Sequence, residues 1–310
     1  MKKIIITGGL GYLGSNIAKR LTKEGFEVII LDNFLSNTCK KVLRTKIIKC
    51  DITNYNKLRK IKQKNIYAVL HLAAQSSGPK SIENPDLDVK LNILGTVNVL
   101  KFCKEKKIKK FIFASSFTVY GDPKSSVMLK ESDECRPKSL YGISKYTCEQ
   151  YIKILCKKYS VNWTILRMFN VYGPGQDLSR KDQGIVSIYL SYIKDGNYLP
   201  VKGSLKRFRD LIYLDDVVSA WILCLKNNKI KNQIFNLGSG KKTYIRDLIN
   251  EIIKIYDKKG KVRIQQTEST HGDIKGCYAN ISLIQKKLNF YPKFSLKQGL
   301  DLFKSWADKN

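Results

Sequence analysis

Lys2–Thr7 is a short apolar run that breaks into Gly8-Gly9-Leu10-Gly11-Tyr12-Leu13-Gly14, and a helical pattern follows to Glu24. Strand, glycine turn and helix in that order make the context a dinucleotide-binding turn requires. Gly8 permits the tight turn, Gly11 lets the backbone approach a pyrophosphate, and Gly14 lets helix and strand pack closely. The helix N-terminus, with Tyr12 and Leu13 in its first turn, then faces the phosphates. Glu27–Leu31 reads as a second buried strand, ending at Asp32-Asn33. An acid about 20 residues past the glycines accepts ribose hydroxyls and repels a 2′-phosphate, which favours NAD over NADP.

The pattern continues. Lys46–Cys50 is a third apolar run, ending in Asp51-Ile52, and Ile66–Leu72 is a fourth, leading into Ala73-Ala74-Gln75. Asn54–Lys62 between them reads as a helix, and Pro85 starts a longer helix through about Glu105, with Leu87, Leu91, Leu94, Val97 and Val99 as its apolar positions. Lys109–Ala114 is the fifth strand, Leu140–Lys158 a helix and Trp163–Arg167 the next strand. This alternation predicts the α/β class, a Rossmann-type doubly wound parallel sheet.

After Asn170 the texture changes at the breaker cluster Tyr172-Gly173-Pro174-Gly175-Gln176. A helix over Gly184–Lys194, short apolar segments at Leu199–Val201, Leu211–Tyr213 and Phe235–Leu237, and helices at Thr243–Tyr256 and Ser295–Asp308 follow. Asp215 opens another helix and reads as its N-cap. Residues 1–170 are therefore expected to form an NAD-binding domain to which 211–240 return. Residues 171–210 and 241–310 are expected to form a smaller, mixed α/β substrate-binding lobe.

Ser115-Ser116 ends the fifth strand, where open parallel sheets place ligands. Tyr141-Gly142-Ile143-Ser144-Lys145 follows one loop later. A Tyr and a Lys four apart share one helix face, about 5–6 Å between Cβ atoms. A neighbouring ammonium favours the phenolate and lowers the phenol's pKa from about 10, making a proton acceptor usable near neutral pH. In isolation, such a pair more often just shares an exposed helix face.

Composition excludes other classes. No apolar stretch is long enough for a transmembrane helix, and the apolar start is too short for a signal peptide. The eight cysteines form no Cys-x-x-Cys pair, and only His71 and His271 could join them, so neither a metal site nor a disulfide framework is expected. Reduced thiols in a cytoplasmic protein follow. The net charge of +31 raises the possibility of a nucleic-acid binder. The lysines are spread through every segment without interleaved aromatics, which favours a solvated basic surface that also attracts anionic small substrates.

Together these motifs resemble the extended short-chain dehydrogenase/reductase superfamily, and within it the NAD-dependent epimerase/dehydratase family acting on nucleotide sugars. The matching segments are Thr7–Gly14, Asp32-Asn33, Asp51-Ile52, His71–Gln75, Asn92 with Gly95-Thr96, Ser115–Gly121, Tyr141–Lys145, Arg167–Gly175 and Arg209–Val217. The resemblance implies that Tyr141 takes the proton of a sugar 4-hydroxyl while hydride leaves C4 for NAD. Lys145 would bind the nicotinamide ribose and, with the oxidised ring, hold down the Tyr141 pKa. Ser116 would hydrogen-bond the 4-oxygen, with Thr118 beside it. Asp51 and Ile52 would border the adenine, and Leu72, Ala73, Ala74, Asn92 and Ser115 would complete the cofactor cleft. Asn170 and Arg209 would hold the diphosphate. Many relatives carry a second arginine just before the Gly272-Asp273 pair, where this chain reads Ser269-Thr270-His271. Either Arg207 or Lys206 would compensate, or the diphosphate would be held differently.

Relatives that dehydrate or decarboxylate the sugar usually carry an acid just after the Ser116 position. Phe117-Thr118 supplies none, so the resemblance implies C4 epimerisation of a UDP-hexose or UDP-N-acetylhexosamine, by way of a 4-keto sugar. Asp273 and Cys277 lie in the segment expected to close over the sugar. A small residue at Cys277 would leave room for an N-acetyl group, while a core-filling thiol explains it equally. A uronate epimerase, 4,6-dehydratase or reductase of the same superfamily is the alternative, and a non-catalytic RNA-binding relative a remote one. A homodimer is expected, the 85–105 and 140–158 helices pairing across it.

Overall fold

A computed structural model describes residues 1–35, 39–123, 128–269 and 274–310. Seven strands make one parallel sheet: β1 (Lys3–Thr7), β2 (Glu27–Asp32), β3 (Thr45–Lys49), β4 (Ile66–His71), β5 (Lys110–Ser116), β6 (Asn162–Met168) and β7 (Gln233–Leu237). Their order is β7-β6-β5-β4-β1-β2-β3, so the chain winds outward from β1 in one direction and then in the other. The switch lies between β1 and β4, where Thr7 pairs with His71.

Alternation along the strands sorts the core into two faces. Ile4, Ile6, Val28, Ile30 and Leu70 pack beneath helices α1 (Tyr12–Lys23) and α5 (Leu214–Lys226), meeting Ile17, Leu21, Val217 and Trp221. Ile5, Ile29, Val69, Phe111 and Phe113 point the other way, against α2 (Gly95–Glu105) and α3 (Leu140–Tyr159), meeting Val99, Phe102, Cys148 and Ile152. Burying each such side chain contributes about 1.5–3 kcal/mol before conformational entropy is charged.

A third core joins α4 (Ile185–Asp195), α6 (Ile245–Ile255) and α7 (Leu296–Ala307) through Leu190, Ile193, Ile249, Ile252, Leu300 and Phe303. A short parallel ladder, Leu211–Tyr213 on Asn170–Tyr172, leads from the sheet into this lobe, and a second, Arg263–Thr267 on Tyr198–Lys202, lies within it. Among the described residues, no helix is long and apolar enough to cross a membrane.

Three local expectations are corrected. Asp215 is not an N-cap: α5 begins at Leu214 behind Tyr213, and no side chain caps it. The carboxylate with a tie there is Asp216, which accepts the Lys293 and Phe294 N–H groups at 2.9 and 3.2 Å. Thr243-Tyr244 is not helical but pairs antiparallel with Phe208-Arg209, so α6 starts at Ile245. The 85–105 helix is not uniformly α: Val89–Leu94 winds as a π-helix between Pro85–Asp88 and α2. Its extra residue turns Asn92 inward, where hydrogen bonds from both sides compensate for the poorer helix.

Candidate active site

The glycine turn is built to approach something closely. Gly8 has φ +66, and a Cβ there would lie 2.7 Å from the Ala73 nitrogen. A Cβ on Gly14 would sit 2.2 Å from the Gly8 oxygen, so helix and turn pack only with glycine. Gly11 caps α1 without a side chain, and no acid occupies the first turn. The orphan N–H groups of α1, flanked by Tyr12 and Leu13, thus stay available to an anion.

Asp32 ends β2 beside this turn. Its Oδ2 accepts Leu10 N–H and its Oδ1 accepts Phe34 N–H, both at 2.9 Å. A carboxylate has about four acceptor positions, so two remain for ribose hydroxyls. Asn33 is partly buried next to it, and Asp51 accepts both the N–H and the hydroxyl of Thr53. Ile52 lies under α2, 2.5 Å from where a Cβ on Gly95 would stand. Leu72 and Ala73 donate their N–H groups to Thr7 Oγ1, and Ala74 follows them at the carboxyl end of β4. His71 is neutral: burial, with Lys145 adding to it, pushes its pKa down to about 3, and Thr7 and Thr96 hydroxyls occupy its ring nitrogens. A dinucleotide fits these groups: a glycine cradle, an uncapped helix end and an acid in series.

At the carboxyl end of β5 three polar side chains converge. Ser139 caps α3 by accepting Gly142 N–H at 3.1 Å. A Cβ on Gly142 would lie 2.7 Å from the Thr118 oxygen, so α3 starts tight against the Ser116 loop. Tyr141, in that first turn, faces Ser116, whose Oγ accepts the Thr118 N–H and hydroxyl at 3.2 and 3.0 Å. One turn on, Lys145 is buried; its Nζ donates to Ala114 O at 3.0 Å and lies 5.8 Å from the Tyr141 ring centroid.

The expected depression of the Tyr141 pKa is absent in the protein alone. Burial pushes the phenol up to about 12, against the Ser116 hydrogen bond that favours ionisation. Asp88 and Cys148 push it further up. Burial also brings Lys145 down to about 8, with Cys148, Asp88 and Glu149 opposing. The ammonium is held by a backbone carbonyl, a ring's width from the phenol, so desolvation prevails.

Behind this trio lies a charged pair that motif reading did not single out. Glu149, two turns after Tyr141 on the same face, accepts Arg167 Nε and Nη2 at 3.0 and 2.7 Å and the Ser115 hydroxyl at 2.6 Å. Ser115 therefore turns its hydroxyl away from the cleft. Arg167 is paired with Ser115 in the sheet register, reaches Glu131 O, and lies 4.7 Å over the Tyr120 ring. The i, i+4, i+8 spacing of Tyr141, Lys145 and Glu149 is the signal that could have found it.

The second lobe gathers Asn170, Arg209 and Cys277 around Asp210. Asp210 is fully buried and accepts Ser239 N–H, the Ser239 hydroxyl, Gly240 N–H and Ala279 N–H at 2.6–3.0 Å. Its own carbonyl takes the Asn170 amide at 3.1 Å. Arg209 is buried, donates to Phe208 O, and acts on the buried Cys277 thiol. Arg207 places its guanidinium on the Ser204 and Lys202 carbonyls. Asp273 lies outside the described residues. No set of three metal ligands occurs among the described residues.

The NAD dependent epimerase/dehydratase family profile matches residues 4–238. A putative UDP-glucose 4-epimerase of Methanocaldococcus jannaschii is 33% identical over 318 residues, covering 99% of each chain. Among solved structures, the UDP-glucose 4-epimerase of Thermotoga maritima with UDP-glucose superposes with a TM-score of 0.92 at 31% identity, covering 99% of both chains. The UDP-N-acetylglucosamine 4-epimerase of Methanobrevibacter ruminantium, in complex with UDP-N-acetylmuramic acid, gives 0.91 at 31% identity, covering 99% of this chain and 98% of its own.

Proposed function

From a chain that belongs to the NAD-dependent epimerase/dehydratase family, we propose the inversion of C4 in a UDP-hexose or UDP-N-acetylhexosamine. The observation that carries the reading is the convergence of Ser116, Tyr141 and Lys145 at the end of β5, followed by Phe117-Thr118 rather than an acid. Tyr141 removes the proton of the sugar 4-hydroxyl through its phenol oxygen. Ser116 donates to the 4-oxygen as it becomes a ketone, its other contact being Thr118. NAD, which the glycine turn, Asp32 and Lys145 would hold, would supply a hydride acceptor and donor for C4, so that the 4-keto sugar could be reduced on its opposite face. Arg209 and Asn170, the latter held by the Asp210 carbonyl, bind the diphosphate, while Cys277 is buried in the core with Val119, Tyr120 and Phe169.

Incubation with UDP-glucose, UDP-galactose, UDP-N-acetylglucosamine and UDP-glucuronate, followed by NMR, tests this. The expected result is a C4 epimer of a hexose or N-acetylhexosamine with no lasting NADH absorbance. A 4-keto-6-deoxy product, or turnover of the uronate alone, would displace the reading in favour of its relatives in the same family.

The enzyme is also proposed to act as a homodimer. Val89 and Leu94 of the π-turn, and Ile143 and Ile154 of α3, are 51, 42, 46 and 68% exposed on neighbouring helices, a costly surface for a monomer. Sedimentation of the wild type as a dimer at micromolar concentration, and of Ile143→Asp/Ile154→Asp as a monomer, is the expected result. A wild-type monomer would refute it.

A further inference from the structure

The π-turn places a second carboxylate beside the catalytic helix, and the mechanism above leaves it unused. Asp88 is 2% exposed. Its Oδ1 accepts two N–H groups, from Gln75 Nε2 and Asn92 Nδ2, both at 2.9 Å. Carboxamide nitrogens only donate, so this oxygen is an acceptor in both bonds. Asn92 in turn donates to Ser144 Oγ at 3.0 Å and accepts Gln75 N–H at 2.9 Å. One carboxylate thus fixes the chain after β4, the π-turn and the catalytic helix together. Burial pushes its pKa above the ordinary carboxylate value, opposed by the neutral donors Ser144 and Gln75 and by Lys145, the cation that acts on it.

We propose that Asp88 is a positioning residue for the reaction. Its buried carboxylate locks Gln75 and Asn92 against α3 and supplies one of the two anions that act on Lys145. This rests on the epimerase reading for its meaning, though not for its geometry. The titratable groups around Lys145 are Asp88 from the π-turn side, Tyr141, Cys148 and Glu149 from its own helix, and His71 from β4. His71 is neutral, the Cys148 thiol is pushed up by burial, and Glu149 is shared with Arg167. Among the described residues, Asp88 is therefore the anion that forms no salt bridge, its carboxylate bound by Gln75 and Asn92 instead. Removing its charge leaves the buried ammonium less favoured, so Lys145 loses its proton at lower pH.

Asp88→Asn keeps the shape and removes the charge. In the NAD-loaded enzyme, the alkaline limb of kcat is expected to move down by about one pH unit, leaving about a tenth of wild-type kcat on that limb. KM for the nucleotide sugar should stay within about twofold, because the diphosphate site is elsewhere. Asp88→Glu should restore part of the limb, and Gln75→Leu, which leaves the charge, should not move it. An Asp88→Asn profile that superimposes on wild type, or drops equally at every pH, overturns the proposal.

A readout independent of turnover guards against a variant that fails to fold or a wrong substrate class. Carbon-13 NMR of γ-labelled aspartate in the wild type should show Asp88 ionised from about pH 6 to 9. A protonated Asp88 at neutral pH overturns the proposal. Inactivity of the wild type on every sugar nucleotide would instead count against the epimerase reading and leave this carboxylate measurement to decide.

Discussion

Tyr141→Phe is expected to lower epimerase kcat by about 10³-fold, within the 10²–10⁴ range of positioned acid–base groups. The ring is retained and α3 still starts at Leu140, so packing against the Ser116 loop is unchanged. What is lost is the oxygen beside Ser116 that would take the substrate proton in the proposed reaction. Affinity for NAD and for UDP, measured calorimetrically, should change by less than about threefold, since neither the glycine turn nor the Arg209 region is touched. A phenylalanine variant within about tenfold of wild type would sink the assignment of Tyr141 as the proton acceptor. Because burial lifts this phenol to about 12 in the protein alone, its ionisation near neutral pH requires further positive charge. Activity should therefore rise with pH until Lys145, brought down to about 8, begins to lose its proton.

Glu149→Ala is expected to cost about 3–5 kcal/mol of stability, a large share of the roughly 5–15 kcal/mol a domain possesses. The side chains of Arg167 and Glu149 are 3% and 0% exposed, and truncating the acid strands a guanidinium away from water. It also removes the acceptor of the Ser115 hydroxyl, one residue before Ser116. Urea unfolding should show a lowered midpoint. Glu149→Leu combined with Arg167→Met should recover most of the loss, since a well-packed apolar pair often replaces a buried ion pair at no net cost. A midpoint unchanged in Glu149→Ala would show that water or Glu131 already satisfies the arginine.

Periodicity identified the strands, the glycine turn and the helix that carries Tyr141 and Lys145 because local pattern suffices for them: parallel strands are apolar runs, and Gly8 and Gly14 sit where a Cβ would clash. It failed where partners come from afar. Thr243-Tyr244 looks helical until Phe208-Arg209 offers a ladder, and Asp215 looks like a cap until Asp216 finds the backbone of 293–294. The π-turn has no local signature; it exists because Asn92 has Gln75, Asp88 and Ser144 to bind. Asp210 sat inside a recognised segment, yet its four hydrogen bonds reach residues 239–240 and 279, which no spacing rule joins to it.

The glycine turn thus says less alone than in place. By itself the sequence determined the parallel sheet, the position of the dinucleotide turn and the pairing of Tyr141 with Lys145, since each depends on residues within a few positions of one another. Only the tertiary structure decided the protonation chemistry. Desolvation and the field of distant carboxylates set the state of a buried phenol and ammonium. Those terms come from Ser116, Asp88 and Glu149, which folding alone brings within reach.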